Sequence, residues 1–134
     1  MLPPFDDDGL LPPGIHRCSV EELVARFGAG SEERVVETLE LLSFIEAARS
    51  ASVLRLIVGG RFVTGKLAPD DVDVGVLPNP GGAAELDRLW NSELIWPFLS
   101  IIVAADEEDL ENWALDQFGT DRRGRAKGVV EIVP

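Results

Sequence analysis

The chain has 134 residues, of which 46% are apolar, and sets 24 carboxylates against 12 basic side chains for a formal net charge of −12. That length suits one domain with a core of its own, and that composition excludes wholesale disorder; no apolar run is long enough to span a bilayer. The acidic surface argues against duplex DNA or long RNA as a partner, since it repels a phosphate backbone at long range.

Two further bounds come from the ends and the thiols. The acidic, proline-rich start Met-Leu-Pro-Pro-Phe-Asp-Asp-Asp is the opposite of a secretory leader. A single cysteine, Cys18, forms no internal disulfide, so the expected compartment is the cytoplasm. A nucleotide carried in with its metal or a basic protein partner remains open to such a surface.

In chain order, residues 1–18 are rich in Pro, Gly and Asp and read as an extended arm. Leu2, Phe5, Leu10, Leu11 and Ile15 suggest that it is packed down on a single domain of residues 19–134. Ser19 with Glu22 makes a capping box for a short helix through Phe27, which Gly28-Ala-Gly30 breaks. Ser31 caps a longer helix, with Glu32 and Glu33 at its positive end. Val35, Val36, Leu39, Leu42 and Ile45 are its expected buried stripe.

Val53 to Val58 is an apolar, β-branched run that predicts a buried strand, and Asp73 to Leu77 predicts its partner. After Pro78-Asn-Pro-Gly-Gly82 the spacing predicts a helix over 83–94, a strand over 98–104, a helix over 106–118 and a last strand over 129–133. Leu110, Trp113, Ala114 and Phe118 are the expected stripe of the last helix, and Trp90, Trp96 and Trp113 read as core. Helix–strand–strand–helix–strand–helix–strand implies an α/β (α+β) fold with a small mixed sheet packed against helices.

The chemistry concentrates between the first two strands. Asp71 and Asp73 stand two apart at a strand's start and should project from one face. Two such carboxylates suit a hard divalent cation, Mg²⁺ or Mn²⁺ in its place, which shares oxygen ligands with substrate phosphates. The bend at Gly59-Gly60 permits close approach of a phosphate, and Arg61 and Lys66 in the loop can neutralise one. A lone Asp-x-Asp is more often an acidic loop running into a strand, and the glycines equally mark an ordinary turn.

Val58-Gly59-Gly60, ten residues, then Asp71-Val72-Asp73-Val74 resembles the signature of the polymerase-β-like nucleotidyltransferase superfamily. More narrowly, the chain is similar to a group of small bacterial nucleotidyltransferase-like proteins of unknown function. That likeness runs from the arm through Gly60-Arg-Phe-Val-Thr64 and Pro69-Asp-Asp-Val-Asp73 to Phe118-Gly-Thr-Asp-Arg122 and Lys127-Gly-Val-Val-Glu131.

The resemblance implies a minimal nucleotidyltransferase fold. It further implies that Asp71 and Asp73 hold metal on a nucleoside triphosphate, while a third carboxylate on a neighbouring strand completes a two-metal site. Gly59, Gly60, Arg61 and Lys66 would lie beside the nucleotide. A catalytic domain this small has little room for an acceptor site, so a homodimer or a partner chain is expected; bacterial proteins of that fold include toxin–antitoxin components, by analogy of fold alone.

Two departures stand out. The narrower group reads Gly-Ser-Phe-Val-Thr where this chain has Gly60-Arg-Phe-Val-Thr64, so a phosphate-contacting serine has become Arg61. The strand Phe98-Leu-Ser-Ile-Ile-Val103 carries no acid, and Ser100 takes the expected place of the third carboxylate; Glu131 on the last strand is the other contender. Two readings follow. One is a Mg²⁺-dependent enzyme joining a nucleoside monophosphate to an unidentified acceptor. The other is a catalytically degenerate binding or regulatory module of the same fold.

The remaining features carry less. Arg122, Arg123, Arg125 and Lys127 form the one basic cluster, read either as a solvated loop or as a contact for phosphates or an acidic partner. His16 lacks a second ligand at zinc spacing, and Cys18 reads as an inert thiol.

Overall fold

The computed structural model describes residues 2–81, 86 and 96–133. Ser19 and Ser31 open the first two helices as expected, their hydroxyls accepting the amides of Glu22 and Arg34. In chain order the described elements are β1 (Gly14–Cys18), α1 (Val20–Phe27), α2 (Glu32–Ser50), β2 (Arg55–Gly59), β3 (Val72–Leu77), β4 (Leu99–Val103), α3 (Glu107–Asn112) and β5 (Gly128–Ile132). Asp106 caps α3, and the chain continues from it through a turn of π-helix, Trp113–Phe118.

The strands form a mixed sheet in the order β1-β5-β2-β3-β4. The outer pairs β1–β5 and β3–β4 run parallel, while β5–β2 and β2–β3 run antiparallel. The chain is therefore a mixed α/β protein. β1 lies within the segment read from sequence as an arm. Its parallel pairing with β5 joins residues over a hundred apart in the chain, which no local pattern can signal.

Alternation of side chains sends each strand's residues to two cores. Leu56, Val58, Val72, Val74, Val76, Val130 and Ile132 meet α1 and α2 through Leu23, Phe27, Leu41, Phe44 and Ile45. Ile57, Leu77 and Val129 meet Leu110, Ala114 and Phe118 on the opposite face. Trp96 joins the first core, edge-on to Phe44 with ring centroids 5.4 Å apart. Of the helix expected over 83–94, only Leu86 is described, and it is buried; the rest, Trp90 included, lies outside the described residues.

Two expected stripes are corrected. On α2 the buried residues are Arg34, Glu37, Thr38, Leu41, Phe44, Ile45 and Ala48, whereas Val35, Val36 and Leu39 are 46%, 45% and 62% exposed. The helix is turned so that Arg34 and Glu37 face inward, because a buried guanidinium has a set of carbonyls to serve there. On the last helix Trp113 is exposed rather than core, since the π-turn widens the spiral and leaves Leu110, Ala114 and Phe118 as the inward line. Among the described residues no helix is long and apolar enough to cross a membrane.

Candidate functional site

β2 ends, β3 begins and β5 begins at the same edge of the sheet. There the chain leaves a cleft of about 820 Å³. Its walls are the loop after β2 with Gly60, Arg61, Thr64 and Lys66; the start of β3 with Asp71 and Asp73; and the segment before β5 with Asp121, Arg122, Arg123, Arg125 and Lys127. Asp8, Gly9 and Leu10 of the N-terminal segment form its rim.

Asp71 and Asp73 line this cleft together, Asp71 exposed and Asp73 half-buried. Burial holds the Asp73 carboxyl above the usual carboxylate range, and the Asp71 charge adds to the effect; Lys127 and Arg61 oppose it. Gly60 is in the left-handed region at φ +75°, and a Cβ there would collide with the Asp73 carboxylate. The glycine is what lets the loop turn so close to that acid.

Gly59 is different from the expectation. It does not line the cleft; it lies under Phe118, whose ring a Cβ would strike, so its lack of a side chain serves core packing.

Arg61 lies on the cleft wall beside Asp70, 3.6 Å away, and leaves the hollow open. Lys66 is exposed at the mouth. The loop that carries both is held from behind by Arg34. Its Nη1 donates to Phe27 O at 3.1 Å and Phe62 O at 2.8 Å, its Nη2 to Thr64 O at 2.7 Å and Lys66 O at 2.6 Å, and its Nε to Lys66 O at 2.9 Å. The guanidinium also lies 5.3 Å from the Phe62 ring centroid. This one buried side chain fixes the backbone of the loop over three carbonyls. Thr64 assists, its hydroxyl donating to Arg61 O and accepting the Lys66 amide.

The opposite wall is tied by Asp121, which accepts from the Arg123 and Arg125 amides and from Arg125 Nε at 2.7 Å. Arg125 reaches on to Asp8 at 2.8 Å. The rim is joined to the loop where Gly65 N donates to Gly9 O and Leu10 bridges Thr64. The arm motif thus walls the cleft. Sequence reading assigned it no role, because the contact spans more than fifty residues.

Lys127 differs from the rest of the basic cluster in its burial. It is 5% exposed, lines the cleft, and makes no side-chain hydrogen bond or ion pair among the described residues. Asp73 and Asp121 act on its charge from beyond contact distance, while burial lowers its pKa. Its backbone amide donates to Gly119 O at 2.9 Å, and Gly128 N to Leu11 O at 2.9 Å, so the start of β5 is pinned. The basic run reads from sequence either as a solvated loop or as a contact for phosphates or an acidic partner; Arg122 and Arg123 are exposed, and burial sets the lysine apart from them.

Neither contender supplies a third carboxylate at the cleft. Ser100 is the β4 neighbour of Asp73 in register and is exposed. Glu131 is spent elsewhere: its carboxylate takes Arg55 Nε at 3.0 Å and Nη2 at 2.8 Å, with Glu111 on the same guanidinium at 3.1 Å. Arg55 starts β2, whereas Asp73 pairs with Gly59 at its end, so Glu131 faces away from the aspartates along the sheet. Among the described residues no group of three or more His, Cys, Asp or Glu is arranged to hold a metal. Asp71 and Asp73 are two carboxylates on one cleft, the residue types that a hard cation takes as oxygen ligands.

Other sequence candidates resolve as structural. His16 Nε2 lies 2.6 Å from Pro12 O in the turn before β1, and burial pushes the Cys18 thiol up to about 11, which makes it unreactive.

No curated protein and no solved structure matches the chain significantly. The profile of a family described as "Family of unknown function (DUF6932)" matches residues 3–133, and the chain therefore belongs to that family.

Proposed function

We propose that the cleft binds a nucleoside triphosphate together with Mg²⁺, and that the protein is a nucleotidyltransferase-like enzyme moving a nucleoside monophosphate to an acceptor. One observation carries this reading. Arg61, Lys66, Arg122, Arg123, Arg125 and Lys127, six of the chain's 12 basic residues, line the same cleft as Asp71 and Asp73 in a molecule of net charge −12. Cations are gathered where an acidic chain has least reason to gather them, unless the ligand is a polyanion.

The division of labour follows from the walls. Asp71 and Asp73 would hold the divalent ion, which when bound neutralises charge on the phosphates. Gly60 leaves room for close approach at Asp73. Lys66, Arg122 and Arg123 are exposed and unpaired among the described residues, free to take outer phosphate oxygens. Arg34 keeps the loop in one shape, so binding costs little ordering.

A second reading has its own observation. With Ser100 exposed, Glu131 consumed by Arg55, and the cleft's other carboxylates, Asp8 and Asp121, engaged by Arg125, no free third carboxylate stands beside the aspartates among the described residues, and a module that binds nucleotide or a protein partner without turnover needs nothing more. Calorimetry with Mg²⁺ and each nucleoside triphosphate tests the main reading. Saturable binding is expected in the wild type and is lost when Asp71→Asn and Asp73→Asn are combined; equal binding by the double variant, or none by the wild type, refutes it. A partner that co-purifies stoichiometrically even with both aspartates replaced would favour the module.

A further inference from the structure

We infer that Lys127 is the internal cation of this cleft, contacting the same phosphate that a single Asp71/Asp73-bound ion contacts, and so filling the role of the second metal. The inference rests on the triphosphate reading above and extends it to a residue and a stoichiometry.

The argument begins with an ammonium that lacks a partner. A lysine is rarely this buried unless it is paired, because desolvating its charge costs far more than packing its stem returns. Lys127 is 5% exposed yet closes no hydrogen bond or ion pair among the described residues. Its charged neighbours in the cleft are Asp73 and Asp121, which attract it, and Arg61, which repels it; all three act from a distance. A group held like this is poised for an anion between itself and the facing wall. The wall carries Asp73, itself an anion, so the ligand must bring a cation for that side or bind only to the lysine.

The second strand of the argument is what the cleft lacks. Two carboxylates can share one divalent ion, and a second ion needs further oxygen donors. Ser100 and Glu131 do not provide them, and the cleft's other carboxylates, Asp121 and Asp8, are held by Arg125. A fixed positive charge from a side chain meets the same electrostatic need without another metal, and a preorganised one does so without reorganisation at the moment of reaction. The pinning of Lys127 through Gly119 O and of Gly128 through Leu11 O supplies that preorganisation. Arg125 cannot take the role, since Asp8 and Asp121 occupy its guanidinium.

Equilibrium dialysis against Mn²⁺ and a non-hydrolysable ATP analogue reads bound metal and bound nucleotide per chain. One Mn²⁺ per bound nucleotide is expected for the wild type, and two would overturn the inference while leaving triphosphate binding intact. Lys127→Met keeps the stem and removes the charge. It is expected to weaken analogue binding by roughly tenfold or more, the scale of one lost charge-assisted contact, while Mn²⁺ binding in the absence of nucleotide is kept or tightened, since a cation acting on Asp73 has gone. Analogue binding as tight as in the wild type would refute the role of Lys127. The wild-type stoichiometry decides the matter if the variant does not fold. A wild type that binds no analogue at all would instead bring down the triphosphate reading itself.

Discussion

Glu37 is an ionisable side chain that the fold treats as apolar. It is 2% exposed, its Oε1 has no hydrogen-bond partner among the described residues, and burial raises its pKa from 4.5 to about 7. Arg34 pulls that value down, while Asp71, Asp70 and Glu33 push it up. Because the folded value lies above the unfolded one, the native state holds this proton more tightly. Its contribution to stability is complete below about pH 4.5 and is lost as pH rises through about 7. Glu37→Gln should therefore be more stable than wild type at about pH 8, by on the order of 2 kcal/mol, and nearly equal to it at about pH 4. Urea unfolding of both proteins across that range measures it, and parallel pH profiles would refute the assignment.

At the scale of elements, α2 and the loop after β2 act as one unit through Arg34. Arg34→Met would leave the carbonyls of Phe27, Phe62, Thr64 and Lys66 short of a donor, an expected loss of roughly 3–5 kcal/mol. Arg34→Lys should recover little, because an ammonium cannot span the carbonyls that the guanidinium fork reaches. A lysine variant as stable as wild type in urea would show that the fork is dispensable. This element pair also marks the limit of what sequence discloses. β2, β3, β4 and β5 were legible because β-branched runs are a local signal, as were the serine caps of α1 and α2. The face of α2 was not, since Val35, Val36 and Leu39 fit an apolar stripe as well as Leu41, Phe44 and Ile45 do. What turned the helix was Arg34, and its partners lie about thirty residues away. Asp71, Asp73, Gly60, Arg61 and Lys66, close in sequence, do line one cleft; that Lys127 and the Asp8–Leu10 rim join them there was not legible, since the pairing of β5 and the folded arm bring them in.

For the whole molecule, two electrostatic ranges act in opposite directions on a polyanion. The net charge of −12 repels it from afar, while the cations not already taken up by Asp8 and Asp121 attract it once it is inside the cleft. Added salt weakens the distant effect first. Between ~10 mM and ~150 mM the screening length falls from about 30 Å to about 8 Å, longer than contacts within the cleft but shorter than the reach of the outer surface. A basic protein that binds phosphates loses affinity steeply over this interval, because salt competes with every exposed contact. Here loss at the exposed Lys66, Arg122 and Arg123 is offset by relief of the general repulsion, and the buried Lys127 is little screened. The affinity for a magnesium-bound triphosphate is therefore expected to change by less than about threefold across the interval, with duplex DNA unbound throughout. A drop beyond about tenfold in calorimetric titrations at the two salt concentrations would mean that the outer arginines, rather than the cleft's interior, carry the ligand.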